Sequence, residues 1–81
     1  MERFGEKLRH LRQHHRVTLV WLAHKLGYST HSYISEVEAG QKIPTAQFTL
    51  KVARLFQVTT DELLKDELEI DLAKSMINDA I

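Results

Sequence analysis

Histidines and carboxylates at helical spacing are the first residues to weigh for chemistry. Glu6, His10 and His14 recur at four-residue steps. That spacing sets two imidazoles and a carboxylate on one helical face, where they could grip a divalent cation. No His-Glu-x-x-His run accompanies them, and exposed pairs of this kind are commonly incidental, so no metal site is assigned. The 81 residues contain no cysteine, which excludes disulfides, thiolate ligands and thiol nucleophiles. There is no glycine-rich phosphate loop and no Ser/His/Asp set with a pocket to hold it. The expectation is a protein without cofactor or enzymatic activity, whose chemistry is recognition.

Charge says what could be recognised. Lys and Arg total 11, as do Asp and Glu, so the formal charge is zero. The zero hides a partition. Residues 1–60 carry nine basic residues against four acids, and residues 61–81 carry two against seven, which gives +5 and −5. All five histidines (His10, His14, His15, His24, His31) lie in the basic segment. A basic body with an acidic tail fits a nucleic-acid-binding domain whose tail stays away from phosphates. No apolar run nears the roughly 18 residues of a membrane span and no signal-peptide core is visible, so a cytoplasmic protein is expected.

The elements that must carry these residues read as helices throughout. Phe4, Leu8 and Leu11 form one stripe of a helix from about Glu2 to His15. Thr18 caps a second, with Leu19, Leu22, Ala23 and Leu26 inward, and Gly27 stops it in a left-handed conformation. Ser29 or Thr30 caps a third, with Ile34 and Val37 inward and Gly40 as its stop. Pro44 and Thr45 open a fourth, carrying Phe48, Val52, Leu55 and Phe56. Thr59 and Glu62 have capping-box spacing and start a fifth. Its apolar row Leu64, Leu68, Leu72 and Met76 continues at four-residue steps, with Ile77 and Ile81 on an adjoining row. The fold class expected is all-α, with a five-helix body over residues 1–66 and an acidic amphipathic helical tail over 67–81.

Thr18 to Gly40 holds the informative signal. Two short helices meet steeply only if their contact is small and their turn permissive, and Ala23 and Gly27 supply these. Ile34 and Val37 then pin the second helix so that its start projects, sized for a major groove about 12 Å wide. A plain helical hairpin in a bundle needs similar packing residues. Residues 4–64 resemble the lambda-repressor-like helix-turn-helix family of phage Cro and cI repressors and their bacterial relatives. The resemblance runs through Leu8-x-x-Leu11-Arg12, Thr18-x-x-x-Leu22-Ala23-x-x-Leu26-Gly27, Ser32-Tyr33-Ile34-Ser35-x-Val37-Glu38-x-Gly40, Pro44, and Leu55-x-x-Val58-x-x-Asp61-Glu62-Leu63-Leu64.

That resemblance implies a five-helix, sequence-specific DNA-binding domain of bacterial or phage origin. It also implies a transcriptional regulator, a repressor in particular, that acts as a homodimer on a palindromic operator. It pairs Arg12 with Glu38 as a structural salt bridge. It places base contacts on His31, Ser32 and Glu36, whose groups can face guanine N7/O6, either base type, and cytosine N4 respectively. Backbone contacts fall on Thr18, Tyr33, Ser35, Gln41, Lys42 and Thr45, with Arg16 and Lys25 as further basic candidates. The turn from Gly27 to Ile34 is one residue longer than the commonest family form, and Leu19 stands where a phosphate-binding glutamine is frequent. Leu68, Leu72, Met76, Ile77 and Ile81 would form a dimer or partner surface. The alternative is an antitoxin-like or adaptor module that keeps the fold without specific readout and uses its acidic tail on a protein partner.

Overall fold

The computed structural model describes residues 1–80, so Ile81, proposed above for the partner surface, lies outside the described residues. Five helices follow one another: α1 (Phe4–His14), α2 (Leu19–Leu26), α3 (Ser32–Glu38), α4 (Ala46–Phe56) and α5 (Thr60–Leu64). No strand occurs among the described residues, so the five-helix, all-α reading stands.

Local chemistry sets most of the boundaries. The Thr18 hydroxyl accepts from the Trp21 N–H at 3.0 Å, Thr45 accepts from Phe48 at 3.0 Å, and each thereby satisfies a free donor of a first turn. Thr59 and Glu62 exchange bonds in both directions at 2.9 Å, completing the capping box that opens α5. Gly27 sits at φ 84°, and the Tyr28 N–H then reaches back to the Ala23 carbonyl at 2.9 Å to close α2. One cap differs from expectation. Helix α3 begins at Ser32 with His31 as its N-cap residue and no side-chain cap. The Thr30 hydroxyl instead accepts from the Ser32 N–H at 3.4 Å, so the longer turn is taken up before the helix starts.

The core is one cluster in which every helix takes part. Phe4, Leu8 and Leu11 meet Leu22, Leu26, Ile34, Val37, Phe48, Val52, Leu55, Phe56 and Leu63, all essentially without solvent contact. Helix α1 packs closely on α3 because Gly5 has no side chain: a Cβ there would collide with the Val37 and Glu38 carbonyl oxygens.

The tail corrects the sequence reading. Helix α5 ends at Leu64, and residues 65–80 run as turns and irregular chain rather than as an amphipathic helix. The physical reason is competition for the backbone. Lys7 is 2% exposed, and its ammonium sits among the carbonyls that follow α5. It donates to the Glu62, Lys65 and Leu68 carbonyls at 2.6, 2.7 and 2.6 Å, oxygens that a continuing helix would need for its own bonds. The chain then folds back over the body. Ile70, Leu72 and Ile77 pack against the core, and the Ser75 hydroxyl and the Met76 and Asn78 N–H groups bond the Phe56 and Leu55 carbonyls at the end of α4.

Candidate nucleic-acid interface

Helix α3 turns Ile34 and Val37 inward, so its remaining positions are decided by the helical period. His31, Ser32 and Ser35 are exposed, whereas Glu36 and Tyr33 are half-buried. The first residues of α3 therefore present an imidazole and two hydroxyls to solvent. Glu36 has company: the Lys42 ammonium stands 3.8 Å from its carboxylate, which offsets the repulsion a bare carboxylate would feel beside phosphates.

Arg12 and Glu38 hold the rear of this helix. Arg12 donates through Nε and an Nη to the two Glu38 carboxylate oxygens at 2.8 and 3.2 Å, and also reaches the Val17 carbonyl at 3.3 Å. Both side chains are largely buried (17% and 8% exposed), and a planar, two-pronged pair fixes orientation more than it adds net stability.

The backbone-facing candidates split into two groups. Thr18, Ser35, Gln41, Lys42 and Thr45 are all exposed, at the start of α2, on α3, in the loop after it and at the start of α4. The Thr18 and Thr45 hydroxyls serve as caps, and Thr45's own N–H is engaged too. Tyr33 stands apart. Its ring meets Phe48 edge-on at 5.1 Å and stacks on Tyr28 at 5.6 Å, and its hydroxyl accepts the Thr45 N–H at 3.2 Å. Of the further basic candidates, Lys25 lies 5.7 Å from the Trp21 ring and Arg16 is an exposed residue at φ 57°.

Sequence reasoning passed over Tyr28 and Lys51. Tyr28 packs edge-on to Phe48 at 5.8 Å, and burial followed by the nearby Tyr33 pushes its phenol above the usual range. The Lys51 ammonium lies 5.2 Å from the Tyr28 ring and donates to the Leu26 carbonyl at 3.1 Å, which fastens the turn of the helix pair to α4. The contacts that join them to α4 are not near in sequence: Phe48 lies on the far side of α3 from Tyr28, and Lys51 lies 25 residues from the carbonyl it holds.

The residues proposed for the partner surface differ in exposure. Leu68 and Met76 are exposed, at 38% and 64%, whereas Leu72 and Ile77 are half-buried against their own core. Among the described residues no three His, Asp or Glu side chains converge to hold a metal ion, and no helix is long and apolar enough to cross a membrane.

Comparison with known proteins bears on the same helices. Residues 3–65 match the family described as helix-turn-helix domain. The HTH-type transcriptional activator BcrR of Enterococcus faecalis is 38% identical over 72 residues, which make up 89% of this chain and 35% of that protein. The chain thus spans about a third of the length of the curated relative it matches. No solved structure matches. The family match begins at the start of α1 and ends just past α5, covering the capped pair and every helix that supports it, and so this chain belongs to the helix-turn-helix domain family.

Proposed function

We propose that this chain is the DNA-binding unit of a transcription regulator and inserts the start of α3 into the major groove of a palindromic operator as a homodimer. The observation that carries the reading is the exposed set His31, Ser32 and Ser35 on a helix whose inner side is locked by Ile34, Val37 and the Arg12–Glu38 pair. A rigid scaffold that holds hydrogen-bonding groups outward is what base readout requires, and flanking hydroxyls and cations supply phosphate contacts. Thr18, Ser35, Gln41, Lys42 and Thr45 take the backbone role, and Glu36 reads cytosine once Lys42 turns to a phosphate. The helix-turn-helix family and the similarity to a transcriptional activator support a regulatory role. We assign repression, because occupying an operator that overlaps a promoter needs no contact beyond DNA. Leu68 and Met76 remain the apolar groups the tail can offer a second copy or a protein partner.

Selection of bound sequences from a random duplex pool tests this reading. The expected product is a palindrome with half-sites about 34 Å apart, bound with strong salt dependence. His31→Ala together with Ser32→Ala should abolish discrimination between that operator and random DNA. Both positions are exposed, so stability should shift by no more than about 0.5 kcal/mol. An unchanged footprint from the double variant would refute the assigned recognition surface.

A further inference from the structure

The loop between α3 and α4, residues 39–45, carries Gln41 and Lys42, and it is tied down at both ends. At its start the Gly40 N–H bonds the Val37 carbonyl at 3.1 Å and the Gln41 N–H bonds the Glu36 carbonyl at 2.8 Å, with Gly40 at φ 78°. At its end Pro44 has no N–H to give, and the next one, on Thr45, goes to the Tyr33 hydroxyl at 3.2 Å. Tyr33 itself is locked. Its ring is wedged edge-on to Phe48, itself without solvent contact, and lies parallel to Tyr28, with interplanar angles of 88° and 19°. Lys42 lies over the outer side of the same ring, its ammonium 6.0 Å from the centroid.

We propose that Tyr33 is a positioning residue for phosphate binding: the hydroxyl fixes the end of the 39–45 loop while the ring seats the Lys42 ammonium beside the groove face of α3. This rests on the DNA-binding reading above and gives Tyr33 a part in it. Its oxygen accepts the Thr45 N–H, which ties the side chain to the loop that carries Gln41 and Lys42. Holding the loop before the duplex arrives removes an ordering cost that would otherwise fall on binding.

The test compares the 81-residue chain with its Tyr33→Phe, Tyr33→Leu and Lys42→Ala variants on two probes, the duplex recovered by selection and a random duplex of equal length. Tyr33→Phe should bind both probes about five- to tenfold more weakly, leaving the preference between them intact, as loss of phosphate contact does. Tyr33→Leu, which also removes the seat of Lys42, should in addition make the salt dependence shallower by about 0.9 in the slope of log K against log salt, the share of one phosphate. Lys42→Ala should cost less in the Tyr33→Leu background than in the parent, since the ammonium has already lost its seat. A purely structural tyrosine would lower the melting temperature and leave the slope of the folded protein unchanged. Folded Tyr33→Phe and Tyr33→Leu chains with parental affinity and slope would overturn the proposal, as would a loss confined to the selected duplex, which marks a base contact. Failure of the parent to bind either probe would instead overturn the DNA-binding reading and this proposal with it.

Discussion

At the scale of single residues, Lys7 decides how the body and its tail are joined. Phe4, Lys7 and Leu11 stand three and then four apart, so the helical period puts Lys7 on the inward side among apolar neighbours. A buried ammonium is tolerable only when all three of its protons are matched, and the Glu62, Lys65 and Leu68 carbonyls match them. Replacing it by the similarly long Met keeps the volume and strands three acceptors. Each stranded acceptor costs about 1–3 kcal/mol before water relieves it, so Lys7→Met should lose about 2–4 kcal/mol of unfolding free energy in urea. A variant as stable as the parent would show that these carbonyls do not depend on the ammonium. Asp66 performs the reverse service at the start of α1, accepting from the Arg3 N–H at 3.0 Å and the Glu2 N–H at 2.9 Å. Those two bonds, together with the N-terminal ammonium, outweigh burial and hold its carboxyl at about 2.

At the scale of elements, the contact between α1 and α3 depends on Gly5. Helix propensity alone would favour Ala at this position by about 0.5–1 kcal/mol. Steric overlap works against it, because the new Cβ would meet two backbone oxygens, those of Val37 and Glu38, which cannot rotate away. Forcing an extra carbon into packed structure typically costs 1–3 kcal/mol, so the overlap wins. Gly5→Ala should therefore lower the melting temperature and weaken DNA binding as α3 is pushed out, and a raised melting temperature would contradict this. The same contrast between near and far contacts explains what the sequence disclosed. The caps at Thr18, Thr45 and Thr59 with Glu62, the stop at Gly27, and the inward rows of α1 to α4 are written within four or five residues of one another. Burial of Ile34 and Val37 was legible in the same way, and with it the exposure of His31, Ser32 and Ser35. The path of residues 65–80 was not. Leu64, Leu68, Leu72 and Met76 repeat as a helix would, yet the decisive contact comes from Lys7, 61 residues from Leu68. The tie between Tyr33 and Thr45 was hidden for a related reason, since Thr45 lies 12 residues away at the start of the next helix.

At the scale of the whole molecule, the balance of +5 and −5 is a structural device as much as an electrostatic one. Several acids of the 61–81 segment join the tail to the body: Asp66 binds the start of α1, Glu69 the Arg3 guanidinium at 2.8 Å, and Glu62 on α5 accepts from both the Thr59 and the Asp71 N–H groups at 2.9 Å. The Arg3 hydrogen bonds hold the Glu69 carboxyl low. For Glu62, burial alone would raise the value, but the bonds from Thr59 and Asp71 outweigh it and lower it. Near its end the tail meets His15, whose Nε2 lies 2.9 Å from the Ser75 hydroxyl and whose ring stacks on Phe56 at 5.4 Å. Ser75 gives its proton to the Phe56 carbonyl at 2.6 Å, so Nε2 must be the donor toward Ser75. Burial, and then the neighbouring His14, lowers the His15 value below the ordinary one near 6.5. The neutral ring thus belongs to the folded state. Its contribution is full above the unfolded value and is lost as pH falls through the folded one. For the three carboxyls the contribution is present above their ordinary values, about 4, and fades as pH falls through the lowered ones, about 2 for Asp66. Stability should accordingly decline in two steps on acidification, a first below about 6.5 and a second below about 4. His15→Gln keeps a donor toward Ser75 but cannot titrate, so it should remove the first step and leave the second. Melting temperatures taken from pH 8 to pH 3 check this, and a first step that survives unchanged in His15→Gln would show that His15 is not the group being titrated.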